Sequence, residues 1–543
     1  MRAGRASRFL RSAVERLQSS PRRVWCTSFV LVALLSGLWG LANPPFAAPD
    51  EPAHVIRAVA LAHGELTGES PSRHQVQSLG LTDRKDYLVV RAPKVYATAS
   101  NAACFVRKSS ITASCLRFGR ATRDIEIGTY VGRHPPAYYA LVGSVSWVVP
   151  PGSGTVYLMR MIGALITAAF AATAIHPLRK STAPGLVAAG LALAITPMVL
   201  FLSSTVNPSS PEIAASIAVW VCGLLLICKA GERVDKRLVT AVGIAGCVLA
   251  VSRQLGPLWL ALIALAMLGV SNRSALHNLA RSSWARLWAL LIVACSLVQV
   301  GWDVIVKPLD VTRSGNAPPS IDTVEVLRIS FGKTFSRYRE MIGSFGWLDT
   351  PVPALTWIPW TILIGLLVLI AVLWATRRQA AVLLALLAAT IIVPVAVEAP
   401  TYADAGTLTW QGRYTLPFAV GIPILAAVLL SSTERGRRLA GPRLLSAFAV
   451  VFSGAHIIAF AQNQRRYAVG YDGEIQFWKH AQWSPPVSSL LLTLVFAIIV
   501  VAFAWWLLVI VPRGAAQEHA RTRRREDRIH TPKSAAVITS PSA

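Results

Sequence analysis

Long apolar blocks alternate with polar connections along the whole chain. Each block runs for roughly 17 to 25 residues, enough for a helix to cross a hydrocarbon core. The pattern predicts spans near Val24 to Ala42, Thr155 to Ile175, Thr182 to Ser204, Ser209 to Lys229, Leu238 to Ser252 and Leu255 to Val270. Six more follow: Leu287 to Val306, Val352 to Ala375, Ala380 to Glu398, Tyr414 to Leu430, Ala440 to Phe460 and Val487 to Val511. The expected fold is therefore an all-α polytopic membrane protein of about twelve transmembrane helices. A further apolar run, Ala137 to Val149, is too short to span. Bounded by Pro135-Pro136 and Pro150-Pro151-Gly152, it reads as a re-entrant or interfacial helix.

Composition agrees with the pattern: 54% hydrophobic residues and 15% charged over 543 residues exceed what a soluble core needs. The net charge of +27 points first to nucleic acid, but its placement argues against that partner. Much of the Lys and Arg lies in short connections and at the termini, where it sets orientation and meets anionic headgroups. With the N-terminus inside, Arg179-Lys180, Lys229 to Arg237, Arg273 to Arg286, Arg377-Arg378, Arg435 to Arg443 and the Arg521 to Arg525 tail all fall inside. The organisation expected is a basic cytoplasmic segment 1–23, a first helix 24–42 and an extracytoplasmic loop 43–154 that includes the short helix. A bundle 155–511 follows, with external loops near 307–351, 399–413 and 461–486, then a basic, disordered cytoplasmic tail 512–543. Val24 to Ala42 reads as a retained anchor, because no convincing small-residue cleavage site follows it. A bacterial plasma membrane location with both termini cytoplasmic is expected.

Polar mass then concentrates outside. The first loop, roughly ninety residues from Asn43 to Pro136, has the size of a small domain or lid. Within it Cys104 and Cys115 are near enough in sequence to bridge on an oxidising face, and both the bridged and the free form stay open. Cys26, Cys222, Cys228, Cys247 and Cys295 sit in apolar runs and read as small buried hydrophobes. No Cys/His metal spacing, phosphate-cradling glycine loop or nucleophile elbow occurs, which argues against a primary pump.

The first loop opens on Pro49-Asp50-Glu51-Pro52-Ala53-His54, two adjacent carboxylates at the mouth of the first span. In a helix starting at Asp50, that residue, His54 and Arg57 share one face at i, i+4 and i+7, with Glu51 to the side. A plain helix cap at Asp50 explains part of this, with Pro52 in the first turn. It does not require a second carboxylate or the His/Arg pair. Where the loop returns stands Arg133-His134-Pro135-Pro136-Ala137-Tyr138-Tyr139: the tyrosines read as interfacial belt residues, and Arg133 and His134 as groups facing a headgroup. At the external start of a later span, Gln411-Gly412-Arg413-Tyr414 puts Arg413 where a lipid phosphate would lie or where it would simply snorkel. Arg253 ends a span and is costly near hydrocarbon. Asn207 to Glu212 reads as a helix start, and Asp349, in the Gly346-Trp347-Leu348-Asp349 turn, as a carboxylate of unassigned role.

Together the Pro-Asp-Glu-Pro-Ala-His string, Pro135-Pro136 with its tyrosines, Gly346-Trp347-Leu348-Asp349 and Gln411-Gly412-Arg413-Tyr414 resemble the bacterial domain-of-unknown-function 2142 family of predicted membrane proteins. That family is similar to the GT-C glycosyltransferases. The resemblance spans roughly Val24 to Val511. It implies a GT-C-like fold with a large first extracytoplasmic loop, an acidic residue presented by that loop, a sugar donor carried on polyprenyl phosphate, and inversion at the anomeric carbon. Asp50 falls on the acidic position and Glu51 beside it.

The chemistry expected is transfer of a sugar from a polyprenyl-phosphate donor to a cell-envelope glycan or lipid acceptor. Asp50 would take the acceptor's proton, an effect of about a hundred- to ten-thousand-fold. Arg413, Arg253 and Arg57, in that order, would stabilise the departing phosphate. His54, Arg133, His134, Gln411 and Tyr414 complete the expected binding set. Glu51 would orient the acceptor or, with Asp50, hold Mg or Mn, though two carboxylates alone do not establish a metal site. The rival reading is a transporter or flippase of lipid-linked sugars or envelope precursors. The absence of an obvious repeat and the few charges deep in the spans favour the enzyme. Oligomeric state is not readable.

Overall fold

The structure, a computed structural model, describes residues 20–81, 86–97, 104–228, 234–307, 322–405 and 407–514. Most of the expected basic N-terminal segment and nearly all of the expected tail lie outside them. Among the described residues nine helices are long and apolar enough to cross a membrane, ten if a bent pair counts as one span. The protein is a mostly helical polytopic membrane protein.

Local sequence sets where these helices stop. The first, Pro21–Ala42, begins with proline in its first turn and ends at Asn43, whose extended backbone follows from the proline next in the chain. Asn43 Nδ2 then donates to the Trp39 carbonyl at 2.8 Å. The expected span Thr182 to Ser204 is instead two helices, Pro184–Ala194 and Pro197–Ser203, bent by 65°. Pro197 bars Thr196 from helical geometry, so the chain breaks and restarts with the Thr196 hydroxyl accepting from Val199 N at 3.3 Å.

Two other expected spans fall short. Lys236–Ser252 and Gly256–Val270 are helices of 17 and 15 residues. At 1.5 Å per residue they rise about 26 and 23 Å, less than the ~30 Å of a hydrocarbon core. They meet at Arg253, which caps the first.

Among the described residues two apolar cores form. In the bundle, Trp39 is fully enclosed among Phe201, Phe345, Phe460 and Phe496, with ring centroids 5.0 to 6.2 Å away. The least buried of the long apolar helices, Ser283–Val306, exposes Leu290, Val298 and Ile305 at 68%, 69% and 82%. Such a face suits lipid and would be a liability in water.

The second core belongs to the loop between the first two long helices. It is a folded lobe that departs from an all-helical design. It contains the Glu51–Ala62 helix, a two-stranded antiparallel ribbon of Leu88–Pro93 with Asp124–Thr129, and the Pro136–Gly143 helix. Phe46, Val55, Val90, Tyr96, Phe105 and Tyr139 fill its centre. The Cys104–Cys115 disulfide closes its middle segment. The Pro136–Gly143 helix lies so close to the first that a Cβ on Gly143 would stand 2.1 Å from the Ala58 carbonyl. Leu141, Trp147 and Val148 beside it are exposed at 50%, 67% and 82%.

Arg466, on the Pro442–Val469 helix, fastens lobe to bundle. Fully buried, it donates to the Phe105 and Lys108 carbonyls at 2.8 and 3.0 Å, to the Ile111 carbonyl, and to Asp349 at 2.9 Å. Asp349 thus has a structural duty in holding that clamp. The same turn sends Trp347 Nε1 to the Phe46 carbonyl at 3.2 Å.

Candidate active site

Asp50 precedes the Glu51–Ala62 helix in the left-handed region, φ 64°, and its side chain makes no cap bond. Left-handed backbone costs a residue with a Cβ about 1 kcal/mol or more, least for Asn and Asp. The conformation turns the carboxylate away from the helix's own amides. Its Oδ1 accepts from Tyr130 at 2.8 Å and its Oδ2 pairs with Arg413. The side chain lies deep but keeps 24% of its surface accessible. Burial disfavours the charge. Arg413 first, then His54 and the hydrogen bonds from Tyr130 and Arg413, outweigh it and lower the carboxyl to about 2.

Glu51 points elsewhere. Its side chain is fully buried and forms a two-pronged pair with Arg160, Nε to Oε1 at 2.8 Å and Nη2 to Oε2 at 2.6 Å. The Phe46 and Val206 amides donate to the same carboxylate at 2.9 and 3.0 Å. Arg160 in turn donates to the Gly40, Asn43 and Pro44 carbonyls at 2.8 to 2.9 Å, tying the end of the first helix to the acid string. Both oxygens of Glu51 are occupied, so it neither converges on a cation with Asp50 nor faces a substrate. Among the described residues no three His, Cys, Asp or Glu side chains gather to hold a metal. The donor set does not fit Mg or Mn there.

Arg413 arrives from the Gly412–Ala419 helix. Gly412 packs on the backbone of the Thr334–Gly343 helix, where a Cβ would sit 2.3 Å from the Arg337 carbonyl, and its N–H donates to Glu340 at 2.7 Å. That close approach aims Arg413 at Asp50. Its guanidinium also reaches the Pro49 carbonyl at 3.3 Å and the Tyr414 hydroxyl at 3.1 Å. The Tyr414 ring carries Arg413 and Arg253 at 5.0 and 4.6 Å from its centroid. Arg253 is half-buried and donates to the Ser209 hydroxyl at 2.8 Å. Gln411, at the head of the same helix, has a buried Oε1 without a hydrogen bond.

His54, Tyr139 and His134 form a chain. Tyr139 Oη lies 2.7 Å from His54 Nδ1 and 3.2 Å from His134 Nδ1. With one proton it can donate to only one ring, so the other Nδ1 must carry hydrogen and donate back. Burial, then His134, pushes His54 well below its usual range, with Asp50 opposing. Burial, then Arg253, lowers His134 to about 3. Both shifts favour the neutral imidazoles. Tyr138 and Tyr139 are buried, at 5% and 0% exposure, and are not the belt residues expected.

Arg57 is fully buried beneath this chain, donating to the Glu65 and His134 carbonyls at 3.2 and 3.3 Å. It holds the lobe's return and faces no opening. Arg133 is half-buried, and its carbonyl accepts from Trp302 Nε1 at 2.9 Å. The structure thus gathers Asp50, His54, His134, Arg253, Arg413 and Tyr414 into one region, and sets Glu51 and Arg57 behind it as supports.

The profile of a family described as predicted membrane protein (DUF2142) matches residues 33–422, well over half the sequence. The chain belongs to this family. Its matched region takes in Asp50, Arg160, Arg253 and Arg413. No curated protein matches the sequence. Two crystal structures of ArnT from Cupriavidus metallidurans are similar at 15% and 13% identity, with TM-scores of 0.39 and 0.36. One is bound to undecaprenyl phosphate and the other is in the apo state. They cover 94% and 95% of this chain and 81% and 82% of their own. At those scores the likeness carries no argument.

Sequence reasoning missed Arg160 and Tyr130. Arg160 carried a signal, a cation inside an apolar run where an unpaired charge is expensive. Tyr130 carried none, because only the ribbon's fold brings it to Asp50.

Proposed function

We propose that this protein is a glycosyltransferase of the bacterial plasma membrane, moving a sugar from a polyprenyl-phosphate donor to a cell-envelope acceptor on the extracytoplasmic face. The observation that carries the reading is Asp50 itself. It is a carboxylate beside the first apolar helix, released from helix capping, accessible, and paired with Arg413, whose Tyr414 neighbour also carries Arg253.

In the proposed reaction the acceptor oxygen attacks the anomeric carbon as the bond from that carbon to the phosphate oxygen breaks. The bonding pair leaves with the phosphate, and the acceptor's proton passes to Asp50. A single displacement of this kind inverts the anomeric centre. Arg253, which has one hydrogen-bond partner, is the better-placed cation for the phosphate charge. Arg57, occupied by two carbonyls, drops out of that role.

A carboxyl at about 2 is a weak base, since proton transfer works best near the operating pH. Arg413 resolves the difficulty if it exchanges Asp50 for the donor phosphate on binding. Asp50 then loses its strongest stabilising charge, burial dominates, and its proton affinity rises when the acceptor needs it. Donor binding would thereby arm the base.

The test is transfer of labelled sugar from polyprenyl phosphate by the purified protein, with Asp50→Asn as the control. Asparagine keeps the left-handed backbone and removes the charge. Undiminished transfer by that variant would end Asp50's role. A deletion strain separates the rival: accumulated donor with a missing sugar residue supports transfer, and donor trapped on the inner leaflet supports flipping.

A further inference from the structure

Between Tyr87 and Arg123 the chain carries five arginines and two lysines and no carboxylate. All seven are exposed, and none makes an ion pair among the described residues. This segment lies in the lobe, away from the short basic connections that set orientation. Loops of more than about 60 residues translocate largely regardless of charge, so topology does not account for it.

The segment is held firmly. Past the ribbon, Lys94 N donates to the Arg123 carbonyl and Val95 N to the Ala121 carbonyl, each at 2.9 Å, which sets Lys94 beside Arg123. The disulfide ties Cys104 to Cys115, and the Arg466 clamp holds the Phe105, Lys108 and Ile111 carbonyls. The acids beside the segment sit at its ribbon end, where the Arg91 amide donates to the Glu65 carboxylate at 3.0 and 3.1 Å. Asp124 stands opposite Pro93, and Glu126 stands opposite Arg91 with its carboxylate engaged by Gln75 at 2.8 Å.

The segment also leads to the site. The strand after Arg123 runs from Asp124 to Thr129, and the next residue is Tyr130, which donates to Asp50 at 2.8 Å. At about 3.3 Å per residue, Arg123 lies some 23 Å along the chain from Tyr130, a reach of several sugar units. The lobe's exposed apolar side chains, Leu141, Trp147 and Val148, are on the segment 136–148, not on the basic one.

We infer that the cations around Lys94, Arg117, Arg120 and Arg123 form a docking track for an anionic glycan, one bearing carboxylates or phosphodiesters, whose end is delivered along the strand to Asp50. The inference rests on the transferase reading and names the acceptor's chemical class. Charge complementarity would supply encounter rate and orientation, and would weaken with salt.

The test uses the full chain in phosphatidylcholine nanodiscs, with a galacturonate decamer and a neutral glucose decamer as probes. The galacturonate decamer should bind and the neutral one should not. The fourfold variant K94Q/R117Q/R120Q/R123Q should bind roughly tenfold more weakly or worse. These side chains are exposed and unpaired, so the variant should keep the parent's melting temperature. Equal binding of both decamers, or unchanged binding by the variant, overturns the inference. So does binding that disappears in phosphatidylglycerol nanodiscs, which would give the track to lipid headgroups. The Asp50→Asn variant should bind the decamer like the parent. Loss of docking without loss of transfer would sink this inference alone, and normal transfer by Asp50→Asn would sink only the catalytic one.

Discussion

Asp50 and Glu51 are neighbours in sequence, both acidic, and each meets an arginine from a distant helix. Glu51 and Arg160 exclude solvent entirely and share seven hydrogen bonds with each other and with five backbone groups. Asp50 and Arg413 leave the carboxylate a quarter accessible, and Arg413 shares the Tyr414 ring with a second arginine, Arg253. The difference follows from one backbone dihedral. The left-handed turn at Asp50 sends its side chain to one side of the chain, while Glu51, at the first helical position, points to the other. A closed pair fixes architecture, and an open pair can exchange partners.

The sharpest way to break that contrast is at the closed pair. Removing one partner strands the other as a buried charge, at a cost of about 3 to 5 kcal/mol. Glu51→Gln and Arg160→Met should each lower the melting temperature of the purified protein steeply and reduce its yield. The double replacement Glu51→Leu/Arg160→Met should not recover stability as many buried pairs do, because the Phe46 and Val206 amides and three carbonyls would stay orphaned. Full recovery by the double variant would show that the pair, not its backbone web, dominates.

At the open pair the loss should fall on rate. Asp50→Asn is expected to reduce transfer about a hundred- to ten-thousand-fold, with a much smaller fall in melting temperature than Glu51→Gln. Arg253→Gln should raise the donor KM about tenfold or more, the worth of a hydrogen bond to a charged group. An effect confined to the acceptor KM would move Arg253 from donor to acceptor.

Much of the helical plan was readable because apolar length is a one-dimensional signal. The continuous span expected from Thr182 to Ser204 overlooked Pro197, whose break of the helix weighs less in an apolar count than the run around it, while the shortness of Lys236–Ser252 lay in its polar flanks. The site divided differently. Asp50 and Arg413 could be singled out, since charges at the ends of apolar runs are conspicuous. Their pairing could not, because 363 residues separate them. Nor could the opposite destinies of Asp50 and Glu51, which depend on a backbone turn that Pro49-Asp50-Glu51-Pro52 does not announce. The buried Tyr139 resembled an interfacial tyrosine, because belt and core tyrosines differ only in what packs against them.

The smallest change sharpens the comparison most. Tyr130→Phe removes the hydrogen bond to Asp50 Oδ1 and leaves Arg413 in place. Asp50 is depressed in the fold, so its ionised form stabilises the native state above about pH 4, and that contribution fades as the pH falls towards 2. Without the hydroxyl the folded value should rise, so the lower edge of that window moves up towards 4 and the stability contributed by the ionised form shrinks. In kinetics the free protein's titration governs kcat/KM and the donor complex's governs kcat. If Arg413 changes partner on binding, the acid limb of kcat lies at higher pH than that of kcat/KM. Tyr130→Phe should then move the kcat/KM limb up and leave the gap between the two limbs in place. Coincident limbs in the parent would mean that Arg413 stays on Asp50 throughout. The open pair would then be as fixed as the closed one, and the base would have to work from the value the resting fold gives it.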